Sequence, residues 1–170
     1  MPKVELELCG PERRTTLEAL FQLYIHDFSE HWAGTDRGEL QEDGRFADSP
    51  HPDSFREAPG RESFLIRADR AIAGFVLIND YSHSGQPLDF SVAEFFVVRK
   101  YRRGGVGRAA ARTVIAIRPG QWELAIARRN TGASVFWRQV ASELGVPGSI
   151  AEHDQDDDRW NGLIVRFMVA

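Results

Sequence analysis

The chain has almost no cysteine. Cys9 stands alone, so an internal disulfide and a cysteine metal cluster are both excluded. It also lacks a surplus of positive charge: 21 Lys and Arg face 25 Asp and Glu, a formal net charge of -4. General nucleic-acid binders carry a basic excess, so the balance counts against that role. No apolar run approaches the roughly 20 residues that cross a bilayer. The opening Met1-Pro2-Lys3-Val4-Glu5 has none of the apolar core of a signal peptide. These absences lead us to expect a cytoplasmic protein without membrane attachment. Internal repeats and low-complexity stretches are missing as well. What is present is a 170-residue chain with 42% apolar and 27% charged residues, the composition of one globular domain spanning 1–170.

Periodicity places the elements. Residues 3–9 alternate charged and apolar, as a half-buried strand does. After Gly10-Pro11, Leu17, Leu20, Phe21, Tyr24, Ile25 and Phe28 recur at steps of three and four, which predicts a helix from about Glu12 to His31. Residues 33–61, with Pro50, Pro52 and Pro59, read as a loop too long to be structureless in a compact domain. It either hides a short helix near Gly38–Glu42 or forms a functional lid. Ser63–Ala68 and Ala71–Asp80 predict a hairpin. Phe90–Val98 is an apolar strand interrupted by Glu94. A helix over Val106–Ile117 follows, with Val106, Ala110, Val114 and Ile117 on one face and Arg118-Pro119-Gly120 as its stop. Trp122–Ala127 is a buried strand. Asn130 is a good N-cap for a helix that turns Ala133, Phe136, Val140 and Leu144 inward, with Gly145 as its C′ residue. Val146–Ala151 and Gly162–Val169 are the remaining strands. The order points to α+β with a mixed sheet.

The sharpest feature joins a strand directly to a helix: Val97-Val98-Arg99-Lys100-Tyr101-Arg102-Arg103-Gly104-Gly105-Val106-Gly107-Arg108. Glycines let backbone approach a ligand with no Cβ in the way. The first amides of the helix have no internal partners, and with the helix dipole they form an anion site. The dipole is worth ~0.3–2 kcal/mol, and each N–H bond to a charged acceptor about 1.5–3 kcal/mol. Residues 99–112 carry Arg99, Lys100, Arg102, Arg103, Arg108 and Arg112 and no acid. A glycine turn with a solvated basic face shares this composition, but the strand and helix context favours a site for a small polyanion. No Gly-Lys-Ser/Thr follows, so it is no nucleotide P-loop, and the dinucleotide spacing fails at Ala110.

These residues resemble a known family. Arg102-x-x-Gly105-x-Gly107 is similar to the coenzyme A signature of the GNAT superfamily of N-acetyltransferases, Gln/Arg-x-x-Gly-x-Gly/Ala. Val97-x-Arg99-x-Tyr101-Arg102 resembles the approach from strand to loop, with Arg99 where proline is common. Asn130-x-x-Ala133 with Phe136 and Trp137 resembles the next block. The match covers roughly residues 90–145, and the N-terminal third fits in element order only.

The resemblance implies a three-layer fold: a mostly antiparallel, mixed sheet of about six to seven strands with about four helices. It implies that Phe90–Val98 and Trp122–Ala127 run parallel and splay at a bulge. The pantetheine arm of acetyl-CoA would pair with backbone around Phe96, Val97 and Val98. Its pyrophosphate would sit on the amides of Arg103, Gly104, Gly105, Val106, Gly107 and Arg108, behind Arg102 of the signature. Asn130 and Phe136 are assigned to the coenzyme as well. The implied reaction is direct transfer in a ternary complex to a primary amine, a small molecule or a peptide, without a metal. A homodimer is compatible with the chain.

An amine must lose a proton before it attacks a thioester. For a lysine-like amine this costs roughly 4.6 kcal/mol at pH 7, so a base is useful. Glu94, the ionisable group inside the Phe90–Val98 strand, is the candidate. The other readings place it towards solvent or against an arginine. The family often protonates the leaving thiolate with a tyrosine seven residues after the asparagine. Here that position is Trp137, and an indole N–H is no usable acid. Either the thiolate leaves unprotonated, or another group such as Tyr101 or Tyr81 serves. Trp137 also keeps open a catalytically silent acyl-CoA sensor or partner module, and a nucleotide-binding regulator is a third reading. The tract Glu152–Asp158 reads as a solvated loop or as an attractor for a cationic acceptor. His26 and His31, five apart, do not share a helix face as zinc ligands. Arg128 and Arg129 either reach coenzyme phosphates or lie on the surface.

Overall fold

The computed structural model describes residues 1–47 and 58–170. Pro50 and Pro52, and with them the middle of the expected loop, lie outside the described residues. Seven strands form one sheet: β1 (Val4–Leu8), β2 (Glu62–Ala68), β3 (Ala71–Asn79), β4 (Phe90–Val97), β5 (Gly120–Ala127), β6 (Ala151–Asp156) and β7 (Asn161–Val169). Their order is β1-β2-β3-β4-β5-β7-β6. Every neighbouring pair is antiparallel except β4 and β5. The helices are α1 (Arg14–Phe28), α2 (Val106–Ala116) and α3 (Thr131–Leu144). The described residues therefore hold three α-helices where about four are expected.

The sheet is the middle layer. On one face, Leu17, Leu20, Phe21 and Ile25 of α1 pack on Leu65, Phe75, Leu77 and Phe96. On the other, Ala111, Val114 and Ile115 of α2 and Trp137, Val140 and Ala141 of α3 pack on Val76, Val92, Trp122, Leu124 and Phe167. Burying both sheet faces accounts for the nearly unbroken apolar runs in β3 and β4. Among the described residues no helix is long and apolar enough to cross a membrane.

Several local expectations change. The helix expected over Glu12–His31 is three pieces: a 3-10 turn at Pro11–Arg13, α1, and a 3-10 turn at Ser29–Trp32. Proline at the start fixes φ and suits the tight first turn. No helix forms near Gly38–Glu42; Leu40 instead bridges Phe46 across a turn in which Gly44 takes φ +77°. Ile117, expected in the core, follows the last residue of α2 and is 68% exposed. Gly145 caps α3 in an extended rather than a left-handed conformation. A Cβ there would lie 2.8 Å from the Ala141 carbonyl oxygen, so close packing accounts for the glycine. The strand expected at Val146–Ala151 begins at Ala151 and takes in most of the acidic tract: Glu152–Asp156 lie in edge strand β6, and Asp157 and Asp158 in the bend after it. Only Gln155 of β6 is buried; charged side chains along an exposed edge discourage pairing with another chain.

Glu123 on β5 is fully buried. It accepts hydrogen bonds from the backbone N–H groups of His83 (2.7 Å) and Ser84 (3.1 Å) and from Arg166 Nη1 (2.6 Å). Burial pushes its carboxyl up, but the donors from Ser84, His83 and Arg166 outweigh burial and hold it below the ordinary range. The carboxylate thus ties residues 82–84 to the point where β5 still pairs with β4. Glu123→Ala removes the counter-charge of Arg166 and leaves two amides unpartnered. It is expected to cost about 3–5 kcal/mol in denaturant unfolding; a loss below about 1 kcal/mol would show that the tie carries no weight.

Candidate active site

The site is built around one irregularity in β4. Leu77 pairs with Glu94 and Ile78 with Val92, so Ala93 has no partner on β3. One extra residue in a strand shifts every later side chain to the opposite face. Val92 packs in the core under α2 and α3, while Ala93 packs towards α1. Glu94 also meets α1, through Tyr24, and Phe95 returns to the α2 and α3 side. Without the bulge, Glu94 would share the face of Val92, in the apolar core. On its other side, β4 pairs with β5 only at Phe90 with Trp122 and Ser91 with Glu123. Beyond Ser91 the two parallel strands separate.

Two adjoining cavities lie beside β4 here, and the second opens in this gap. The first, about 580 Å³, is lined by Phe95–Val97 of β4, by Arg102, Arg103, Gly105, Gly107 and Arg108 of the glycine loop, and by Asn130 and Phe136. The second, about 590 Å³, is lined by Val92–Phe95, by Ala125–Ala127 of β5, by Trp32, and by His83 and Trp160. Tyr24, Phe28, Phe95, Asn130, Ala133 and Trp137 line both.

Glu94 lines the second cavity. Its Oε2 accepts a hydrogen bond from Tyr24 Oη at 2.6 Å, and among the described residues it has no arginine partner. It therefore points into the cavity, partly accessible there, rather than to a cation among the described residues. Burial among aromatic and aliphatic walls pushes its carboxyl up to about 7, against the opposing pull of the Tyr24 hydrogen bond. Burial, followed by the Glu94 charge, holds the Tyr24 phenol well above its usual range. A carboxyl near 7 is poised to exchange protons at neutral pH.

The glycine loop leads into α2 as its sequence predicts. Arg103 (φ 62°) and Gly105 (φ 83°) take left-handed conformations, and Gly105 is the N-cap of α2. A Cβ added at Gly104 would meet nothing within 4 Å, so the loop is open on that side. Its cations are less free than the run of arginines implies. Arg99 and Arg102 both bind Asp27 at the end of α1, and Arg102 Nε also donates to the Val97 carbonyl oxygen at 2.7 Å. Arg108 and Arg112 share Glu143 of α3. Among the described residues Arg103 has no ion pair.

Of the residues singled out by sequence, Phe96, Val97, Arg102, Arg103, Gly105, Gly107, Arg108, Asn130 and Phe136 line the first cavity together. Val98, Gly104 and Val106 do not; Val106 is buried under the loop with Ala110. Asn130 spends its side-chain oxygen on the N–H of Ala133 as the cap of α3. Arg128 ties β5 to Asp154 and Asn161, and Arg129 donates to the His31 carbonyl, so both serve as braces. Trp137 is buried against Phe95 and Phe136. Tyr101 packs under the loop, and Tyr81 is 54% exposed; neither lines either cavity. Sequence reasoning missed Tyr24, which it took as one more apolar position of α1. The signal was its hydroxyl: a phenol on a buried helix face needs a partner. It also missed Asp27 and Glu123, the latter a charge inside an apolar strand as visible as Glu94.

A model of the acetyltransferase (GNAT) family matches residues 17–140, well over half of the chain. No curated protein matches it. Among solved structures, an acetyltransferase from Thermus thermophilus is 14% identical with a TM-score of 0.67, covering 99% of this chain and 100% of the other. The PaiA N-acetyltransferase of Thermoplasma acidophilum, in complex with coenzyme A, is 12% identical with a TM-score of 0.59, covering 98% and 99%. The ribosomal-protein-S18-alanine N-acetyltransferase of Escherichia coli is 11% identical with a TM-score of 0.58, covering 99% and 95%. At these identities the likeness is one of fold.

The position of Glu94 has a measurable consequence. Its carboxyl sits at about 7 in the folded chain against an ordinary 4.5. A group raised on folding contributes its full stability below the lower value and loses it as pH rises through the higher one. Glu94→Gln stays neutral throughout. Chemical denaturation should therefore find the variant more stable than wild type by about 3 kcal/mol at pH 8–9 and about equal at pH 4. A difference that does not change with pH would contradict the buried-carboxyl account.

Proposed function

The chain belongs to the acetyltransferase (GNAT) family, and from that premise we propose that it moves an acetyl group from acetyl-CoA to a primary amine by direct transfer in a ternary complex. The observation that carries this reading is Glu94, with its carboxyl near 7, in the wall of the second of two cavities that share six lining residues. A reaction between two substrates needs such a double opening, with a proton acceptor on the side of the nucleophile.

In this reading acetyl-CoA takes the first cavity. The fit rests on the chain's own features: a glycine N-cap with φ 83°, open space at Gly104, and Arg103 without a competing acid. The amides of residues 103–108 would hold the pyrophosphate. The edge of β4 around Phe95 and Phe96, no longer paired with β5, offers backbone groups to the pantetheine arm, while the Val97 carbonyl accepts from Arg102 and Val98 is bonded to Ala73 and Tyr101. The amine takes the second cavity and gives its proton to Glu94. The nitrogen attacks the thioester carbonyl, the C–N bond forms, and the C–S bond breaks without a covalent enzyme intermediate. The acceptor, a small molecule or a peptide, would be selected by the walls around Trp32, His83 and Trp160. No observation favours the silent sensor.

The test is thiol release from acetyl-CoA with a panel of primary amines across pH. Wild type should turn over at least one amine, with a rate that rises through pH about 7, where Glu94 loses its proton. Glu94→Gln should lose that inflection and fall about 10²–10⁴-fold near neutrality, with coenzyme affinity unchanged. The deficit should shrink towards pH 10, where the amine deprotonates unaided. Tight acetyl-CoA binding with no turnover on any amine would overturn the proposal.

A further inference from the structure

We propose that Tyr24 and Glu94 form one proton relay, in which Glu94 takes the amine proton and Tyr24 hands a proton to the leaving thiolate. This rests on the acyltransferase reading above and adds the acid that Trp137 cannot supply. Six residues line both cavities: Tyr24, Phe28, Phe95, Asn130, Ala133 and Trp137. Tyr24 is the one among them with an ionisable proton. It is already hydrogen-bonded to Glu94 at 2.6 Å. Its ring is held by edge contacts to Phe21, Phe28 and Phe75, with centroids 5.4–5.8 Å away. The hydroxyl is thus fixed where donor and acceptor sides meet.

The relay balances. The ammonium form first gives one proton through Glu94 to solvent; the neutral nitrogen then bonds to the acetyl carbon, and the next proton on that nitrogen passes to the Glu94 carboxylate. As the C–S bond breaks, the Tyr24 proton moves to sulfur and the Glu94 proton moves to the Tyr24 oxygen. Both side chains return to their starting states, and the products are an amide and a free thiol. The net transfer runs from a carboxylic acid near 7 to a thiolate whose acid lies at about 8.5, so it is downhill. Tyr24 alone would be a poor donor beside a charged Glu94, which raises its phenol. Protonation of Glu94 by the amine removes that obstacle at the moment the acid is needed. Asp27, Glu30 and His31 stand at the end of α1, and His83, Arg37 and the turn 157–159 lie across the second cavity. Apart from the bond between them, Tyr24 and Glu94 make no side-chain hydrogen bond to another described residue.

Tyr24→Phe in the full chain tests this, because phenylalanine preserves the ring contacts. Acetyl-CoA affinity by calorimetry should stay within about twofold. The kcat for an amine accepted by wild type should fall about 100-fold. In the coenzyme-free protein, a carbon-13 titration of Glu94 should move up from its wild-type midpoint of about 7, since the carboxylate loses its donor. A second variant with 3,5-difluorotyrosine at position 24 keeps ring and hydroxyl but acidifies the phenol. A relay changes its kcat, and a merely structural hydrogen bond does not. If the kcat of Tyr24→Phe stays within about threefold of wild type, or the Glu94 midpoint does not move, the relay is overturned while the acyltransferase reading stands. A wild-type protein that binds acetyl-CoA and acetylates no amine overturns both.

Discussion

An unpaired alanine in the middle of β4 organises this molecule. Because Ala93 has no partner on β3, Glu94 turns from the core side of the sheet to the α1 side. The same displacement ends the pairing of β4 with β5 after Ser91. One inserted residue therefore both places a carboxylate against α1 and opens the space beside β4 in which the second cavity lies. The cost is a stretch of parallel ladder in which backbone groups lose their strand partner. In the proposed function those groups become the rail on which a long, flexible coenzyme lies.

Two glutamates in neighbouring strands show how environment assigns opposite tasks to one side chain. Glu123 is fully buried, yet two backbone amides, two serine hydroxyls and Arg166 donate to it, and its carboxyl is held below the ordinary range. Glu94 has a single phenol for company, and burial pushes it up to about 7. The first carboxylate is a permanent charge that fastens the segment around His83 to β5. The second titrates at neutral pH, as proton transfer requires. The glycine loop is tuned in a similar way: Asp27 and Glu143 engage four of its cations and stabilise the loop before any polyanion arrives.

Much of this was legible in the residues. The strand-loop-helix passage from Phe90 to Ala116 follows from an apolar run, a glycine pair and a 3.6 period, each strong and local. Asn130 reads as a cap and acts as one. The bulge was not legible by position, because Ala93 carries no glycine or proline to mark it; only the resemblance to a family supplied it. Tyr24 was hidden for a related reason. Its spacing on α1 satisfies an apolar stripe, and only the fold shows its hydroxyl reaching Glu94, 70 residues away in sequence. The acidic tract misled because charge normally marks loops. On an edge strand with one buried residue, charge costs little and guards the edge.

A crystal structure with acetyl-CoA bound would test the central claim most directly. The account predicts the pyrophosphate on the amides of the loop before α2, the pantetheine arm along β4 where β5 has parted from it, and the thioester sulfur in hydrogen-bond reach of the Tyr24 hydroxyl. A coenzyme bound away from the β4–β5 gap, or one whose sulfur is walled off from Tyr24 and Glu94, would contradict it.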